Sequence, residues 1–263
     1  MIICKSPAQI EEMARAGEVV AGCLALLRDS CAEGVTTAEL DRVAESFIRE
    51  HKGIPTFKGY RGYPASICAS PNQMVVHGIP GPYELKFEDI ISLDVGVTLG
   101  GWVADAAITV AVGDPGPLAL RLMEVTETSL MRGIARCVAG NHLGDVSHAV
   151  EEHVVANGFT VVRSLVGHGV GREMHEDPQV PNFGTEGEGP LLKEGMVLAI
   201  EPMVNAGTHK VTVGEDKWAI STADNSLSAH FEHTVAVTRK GPRILTASKA
   251  EGGAGLGAAH RLW

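Results

Sequence analysis

The segment ISLDVGVTLGGWVADAAITV, residues 91–110, carries two aspartates in otherwise apolar, strand-like sequence. Leu99-Gly100-Gly101 separates two runs of β-branched and small residues, which reads as a hairpin. A turn about Leu99 and Gly100 sets Asp94 directly opposite Asp105, with Cβ atoms roughly 4.5–5.5 Å apart. A turn displaced by one residue keeps both on the same face, two positions out of register. Leu93, Val95, Ala104 and Ala106 flank the pair, so the stretch reads as buried. Two ionised carboxylates in such a place repel, and one is forced neutral unless a cation lies between them. Taken alone, the pair also suits a turn cap and an exposed acid.

Downstream, GHGVGREMHEDP (167–178) places His168 and His175 in a glycine-rich, non-helical stretch. Gly167, Gly169 and Gly171 allow the backbone to come close to a ligand. The spacing is not that of HExxH, where two ligands share a helical face, and a loop with two solvated histidines fits as well. MVLAIEPMV (196–204) puts Glu201 in an apolar strand, and SAHFEHTVAV (228–237) does the same for Glu232. A carboxylate there is costly unless paired or metal-bound. Neither segment holds a lysine or arginine, although the distant Arg163 is a candidate partner. Asp94, Asp105, His168, Glu201 and Glu232 together form an oxygen-rich set with one imidazole. Such ligands suit manganese, iron(II), cobalt or zinc in a hydrolytic pair, not a closed structural zinc site. Two ions roughly 3.5–4 Å apart can share bridging carboxylates.

The elements that must position these residues are legible in outline. Ser6-Pro7-Ala8-Gln9 forms a helix start with a capping box, and Ile10, Met13, Gly17, Val20 and Leu24 recur on one helical face. Thr36 and Glu39 make a second capping box, followed by Leu40, Val43, Phe47 and Ile48, with Gly53 ending the segment. Residues 54–115 read as strands. Helical spacing returns with Leu118, Leu122, Val125, Leu130 and Ile134, then with Val146, Val150 and Val154 up to Gly158. A second strand-rich block runs from about 160 to 246. The order of two helices, strands, two helices, strands predicts a pseudo-twofold α+β architecture. No linker divides the halves, so residues 1–248 read as one domain, with 249–263 a small-residue, flexible tail.

Composition narrows the classes. At 263 residues the chain is long enough for a sizeable core. Its formal net charge of −10 gives no global basic footprint for nucleic acid. Five cysteines, at 4, 23, 31, 68 and 137, have no CxxC pair, which argues against a disulfide framework or a thiolate zinc site and for a reducing cytoplasm. No signal-peptide h-region or membrane-length apolar run is present.

VVHGIP (75–80), SLDVG (92–96) with Asp105, GHGVGREMHEDP, AIEPMV (199–204) and FEHTVAV (231–237) come in the order and spacing of type I methionine aminopeptidases. The chain resembles that family over about residues 3–240. The resemblance implies the pita-bread fold, two pseudo-twofold α+β halves around a curved antiparallel sheet. It implies two divalent ions: Asp94 chelating one, Asp105 and Glu232 bridging both, and His168 and Glu201 completing the other shell. His77 and His175 match two non-ligand histidines that hold the scissile amide and steady the tetrahedral intermediate, and Glu201 matches a proton shuttle. Tyr60, Tyr63, Cys68 and Trp218 match the methionine pocket, with Met174 where many members carry Phe. By residue type alone, Tyr60, Tyr63, Cys68 and Trp218 read as core. Asn72 and Ser228 match a monovalent-cation site of some members.

The implied activity is removal of an amino-terminal methionine when the second residue is small. The implied substrates are peptides and nascent polypeptides. A cytoplasmic monomer with transient ribosome association and no DNA or membrane partner is expected. Lack of an amino-terminal zinc-binding extension and of a long helical insertion points to the short bacterial type. The competing readings are an Xaa-Pro aminopeptidase or dipeptidase of the same fold, a non-catalytic binding relative, and a creatinase-like metal-free hydrolase. The five retained ligands disfavour the last two.

Overall fold

The computed structural model describes residues 1–247, so the tail expectation for 249–263 lies outside the described residues. Helix α1 (Pro7–Ser30) starts at the Ser6–Gln9 capping box, and Ile10, Met13, Gly17, Val20 and Leu24 all face inward. Helix α2 (Thr37–Glu50) starts at the Thr36–Glu39 box. Its end differs from the expectation. The chain leaves the helix through Lys52, which takes the left-handed conformation (φ 62°), and Gly53 does not. Gly53 is instead needed for space, because a Cβ there would lie 2.8 Å from the Val97 side chain.

Strands β1 (Ile54–Pro55), β2 (Ile67–Pro71), β3 (Met74–Val76), β4 (Ile90–Leu99) and β5 (Trp102–Ala111) follow. Helices α3 (Gly116–Arg136) and α4 (Leu143–Ala156) open the second half. Leu122, Val125, Leu130 and Ile134 of α3 are buried, but Leu118, in the first turn, points to solvent at 55% exposure. The second half continues with β6 (Thr160–Val161), β7 (Gly167–Gly169), β8 (Glu176–Val180), β9 (Val197–Ile200) and β10 (Met203–Asn205). It closes with β11 (Val211–Val213), β12 (Ile220–Thr222), β13 (Ser228–His230), β14 (Glu232–Thr238) and β15 (Gly241–Ile244).

One nine-stranded sheet joins the halves in the order β1-β4-β5-β14-β9-β7-β8, with β2 also on β4 and β15 on β14. All its pairings are antiparallel. Two three-stranded sheets, β13-β10-β6 and β11-β12-β3, flank it. This is the pita-bread fold. Strand alternation divides the large sheet into two faces. Ile91, Leu93, Val95 and Val97 of β4 join Ala104, Ala106, Ile108 and Val110 of β5, Leu198 and Ile200 of β9, and Val235 and Val237 of β14 in one apolar core with the helices. The alternate residues of the same strands look the other way.

Candidate metal centre

The β4–β5 hairpin pairs Leu99 with Trp102, Gly96 with Asp105 and Asp94 with Ala107. The turn is therefore Gly100-Gly101, one residue later than expected, and the aspartates are not directly opposed. A two-residue hairpin turn of the favoured kind needs positive φ at both central positions. Gly100 (φ 59°) and Gly101 (φ 76°) supply it, whereas a turn at Leu99-Gly100 would force Leu99 into the left-handed region. Because the shift is a whole residue, both aspartates stay on the face away from the helices. They are diagonal neighbours, which typically lie roughly 7–8 Å apart, and that leaves room between them.

The sheet register then gathers the rest. Cys68, Asp94, Ala107 and Glu232 form one row across β2, β4, β5 and β14. Thr234, two residues on from Glu232, pairs with Ala199, which pairs with His168. Glu201 is two residues beyond Ala199. It does not lie inside a strand as expected: Glu201-Pro202 is a break where the chain leaves β9 in the large sheet for β10 in a small one. Pro202 has no N–H to give a ladder, so the strand stops there. Glu232 likewise opens β14 just after β13 and Phe231. The two glutamates thus come from adjacent crossings between sheets.

One ligand atom each of Asp105, His168 and Glu232 lies within 4.8 Å of the others. His168 Nε2 is 3.6 Å from Asp105 Oδ2 and 3.6 Å from Glu201 Oε1, too far for hydrogen bonds. Its Nδ1 is 2.9 Å from the Gly169 carbonyl. A proton on Nδ1 satisfies that contact and leaves the Nε2 lone pair facing the carboxylates. Asp94 Oδ1 is buried without a partner.

Burial, reinforced by the neighbouring Asp105, pushes the Asp94 carboxyl far above the usual range. Burial, then Asp105, raises Glu201 and Glu232 in the same way. Asp105 goes up to about 6 through burial, held back by the Thr234 hydroxyl and by His175. Among the described residues no lysine or arginine pairs with any of the four; Arg163 is engaged by Glu151 at 2.7 Å. The donor set fits a cationic guest: hard oxygens, a neutral imidazole and an orphaned buried oxygen, with no internal counter-charge.

His77 and His175 stand beside this cluster. His77 follows β3 with φ 61°, and burial, then His175, lowers its pKa. The His175 ring centroid is 4.2 Å from that of His168, and Tyr60 Oη is 2.8 Å from His175 Nδ1. Burial foremost, then His168, brings the His175 pKa down to about 4. Tyr63, Cys68 and Met174 are buried in one apolar cluster with Phe57, and Tyr60, Trp218 and Ile79 pack against it. The Tyr63 and Trp218 rings meet edge to face at 5.1 Å. Cys68, opposite Asp94, joins this cluster to the carboxylates. Ser228 donates its backbone N–H to the Asn72 carbonyl, while Asn72 Nδ2 donates to Asp89 and Ser228 Oγ meets Asn205 Oδ1.

Two residues escaped the sequence reading. The Thr234 hydroxyl accepts the Asp105 N–H at 3.1 Å and lies 2.8 Å from its carbonyl and 3.1 Å from Oδ1, so it fixes the aspartate's rotamer. His230 is 2% exposed, with an unpartnered Nε2 3.9 Å from Glu201 Oε2. Both stand two residues from Glu232 in sequence, which was the available signal.

Known proteins resemble this chain in sequence and in fold. Residues 11–239 match the profile of metallopeptidase family M24. A methionine aminopeptidase of Clostridium perfringens is 51% identical over 249 residues, 95% of this chain and all of that one. The crystal structure of methionine aminopeptidase from Thermotoga maritima superposes with a TM-score of 0.93 at 44% identity, covering 94% of this chain and all of that one. A prolidase from Pyrococcus furiosus gives 0.75 at 20% identity over 94% of this chain and 66% of its own, a likeness of fold alone. The chain belongs to metallopeptidase family M24, in its methionine aminopeptidase branch.

Proposed function

We propose that the protein removes the amino-terminal methionine from peptides and nascent polypeptides whose second residue is small. The observation that carries this reading is the cluster of four carboxylates and one neutral imidazole, with no lysine or arginine paired to it among the described residues, set beside an apolar cluster. Asp94, Asp105, His168, Glu201 and Glu232 would hold two divalent ions, with cobalt, manganese, iron(II) and zinc all compatible with the donors. When bound, the ions supply Lewis-acid polarisation of the scissile carbonyl and a lowered pKa for the attacking water.

The chain's own groups do the rest. The side chain of Glu201, 14% exposed, would take a proton from the attacking water and pass it to the leaving amine. His77 and His175 are neutral at pH 7 and act as hydrogen-bond partners of the amide, with Tyr60 orienting His175. Tyr60, Tyr63, Cys68 and Trp218, with Met174, close around an unbranched thioether side chain. The substrate's free amine is drawn to the acidic cluster near Asp94. That puts the second residue between His77 and His175, where bulk collides.

The same reading makes the protein a cytoplasmic monomer, transiently associated with the ribosome, with a monovalent cation near Asn72 and Ser228. Among the described residues no helix is long and apolar enough to cross a membrane.

The test uses protein stripped of metal and reloaded with each ion in turn, assayed on Met-Ala-Ser, Met-Leu-Ser and Ala-Pro-Ser. Cleavage of the first alone is expected. Apolar fit discriminates by only about 1–3 kcal/mol per methylene, so exclusion of Met-Leu-Ser rests on steric collision. Equal cleavage of the first two peptides would remove that claim. Preference for Ala-Pro-Ser would make the protein a proline-specific peptidase.

A further inference from the structure

We propose that Lys5 is a positioning residue for His175, acting through a buried ion pair with Glu176. The proposal rests on the reading of His175 as a group that contacts substrate. Among the described residues Lys5 is the only lysine or arginine that is buried, at 5% exposure. Its Nζ lies 2.7 Å from Glu176 Oε2, and the two side chains are 2% and 9% exposed. The other carboxylate oxygen of Glu176 accepts the backbone N–H of Arg172 at 2.9 Å and of Glu173 at 3.4 Å. One oxygen therefore gathers the loop that leads to His175, and the other ties that loop to Lys5.

Both ends of the tie are fixed. A Cβ on Gly171 would lie 2.3 Å from Glu176 Oε1 and 2.7 Å from Lys5 Cε, so the loop backbone presses directly on the pair. Gly171 also accepts the Val103 N–H with its carbonyl, which joins the loop to β5 two residues from Asp105. Lys5 donates its own N–H to the Gly195 carbonyl at 2.7 Å. Gly195 (φ 90°) has space for no side chain there, since a Cβ would meet Lys5 O at 2.5 Å. The amino-terminal segment is thus pinned beside the entry to β9, the strand that leads to Glu201.

His175 immediately precedes Glu176. Its other polar tie is to Tyr60, a half-buried residue that opens a single 3-10 turn (Tyr60–Gly62). Its backbone is held by the pairing of Glu176 with Gly169 between β8 and β7 and, on the side-chain level, by the Lys5–Glu176 pair. Buried ion pairs add little net stability compared with apolar residues of similar volume. What this pair does supply is a directional contact between two segments 171 residues apart.

The metal-loaded protein is compared with Lys5→Met, Lys5→Met/Glu176→Gln and His175→Ala. The readouts are kcat and KM on Met-Ala-Ser, metal bound per chain, Tm, and the His175 imidazole resonance. Lys5→Met is expected to lower kcat on the order of 10–100-fold, the effect of an ångström-scale misplacement. KM and metal content should change little, and the His175 resonance should shift. The double variant leaves no buried charge stranded, so its Tm should recover while kcat does not. It also serves if the single variant fails to fold. Wild-type kcat in Lys5→Met, or kcat that recovers together with Tm in the double variant, would overturn the proposal. Wild-type kcat in His175→Ala would remove the reading of His175 itself, and the clamp with it.

Discussion

His230→Gln should abolish a specific part of the protein's sensitivity to acid. His230 is 2% exposed, and burial foremost, with the nearby His77, brings its pKa down from 6.5 to about 3. In the unfolded chain the imidazole takes up a proton as pH falls through 6.5, but in the folded protein it does not until about pH 3. The unfolded state therefore binds more protons across that window, and stability falls as pH drops from 6.5 towards 3. Above 6.5 both states are neutral and His230 contributes nothing to the pH dependence. Between pH 6.5 and 5.0 the loss is 1.5 pH units at 1.36 kcal/mol each, or about 2 kcal/mol. That figure is the same for any folded pKa of about 4 or below. Glutamine has no proton to take up, so the variant should lack this slope. For a chain of this size about 1 kcal/mol moves Tm by roughly 2–4 °C. Thermal denaturation of both metal-loaded proteins at pH 7.5, 6.5 and 5.0 should show the parent losing about 4–8 °C more than the variant in the acid step. Equal acid losses in the two proteins would refute the claim that His230 is held neutral.

Asp105→Asn should nearly abolish turnover on Met-Ala-Ser and lower bound metal below two per chain by elemental analysis, because a neutral amide bridges two cations poorly; full occupancy with normal kcat would exclude Asp105 as a bridge. Adding a divalent metal to stripped protein at pH 7 should release protons, since Asp94, Glu201 and Glu232 are all held well above the usual carboxylate range. Calorimetric titration in two buffers of different ionisation enthalpy measures the release, and identical heats would count against protonated carboxyls. Tyr63→Phe removes an O–H shared by the buried carbonyls of Ile67 and Gly78; the Gly78 carbonyl keeps the Ala69 N–H, so the cost in urea denaturation should be that of an ordinary hydrogen bond, about 0.5–1.5 kcal/mol, and an unchanged midpoint would show that the hydroxyl adds nothing to either carbonyl. Gly17→Ala would improve helix propensity by up to about 1 kcal/mol, yet its Cβ would meet Leu245 O at 2.1 Å. Overpacking of this kind costs about 1–3 kcal/mol, so Tm should fall, and a rise would contradict the packing of α1 on the chain after β15.

The faces of the sheet were readable from residue order alone. Period-two alternation puts Asp94 and Asp105 on one side whether the turn falls at Leu99-Gly100 or Gly100-Gly101. The register itself depended on a point the pattern leaves out, that only the second choice avoids a left-handed leucine. Both amino-terminal capping boxes were equally legible because their partners are three residues apart. The apolar run around Glu201 reads as one strand, although Pro202 beside it marks the break. His230 and Thr234 lie at strand spacing from Glu232, but so do many residues that touch nothing. Tyr60 with His175 and Lys5 with Glu176 join segments more than a hundred residues apart, and no local pattern encodes such contacts. The roles proposed for His77 and for Tyr60, Tyr63, Cys68 and Trp218 rest on family resemblance, not on spacing.

The position of β14 bears on how the chain folds. It lies between β5 and β9 in the sheet, yet it is contributed by residues 232–238, after nearly every other strand. Thr234 grips Asp105 across 129 residues of sequence. The β4–β5 hairpin needs only local contacts and can form early, but until β14 arrives β5 and β9 each present an open edge. Joining the halves is therefore a late, long-range event, and slow by the usual relation between contact separation and rate. A growing chain acquires its full acidic cluster only when residue 232 is free to pair. A fragment ending before that point keeps two unpaired strand edges and is expected to aggregate.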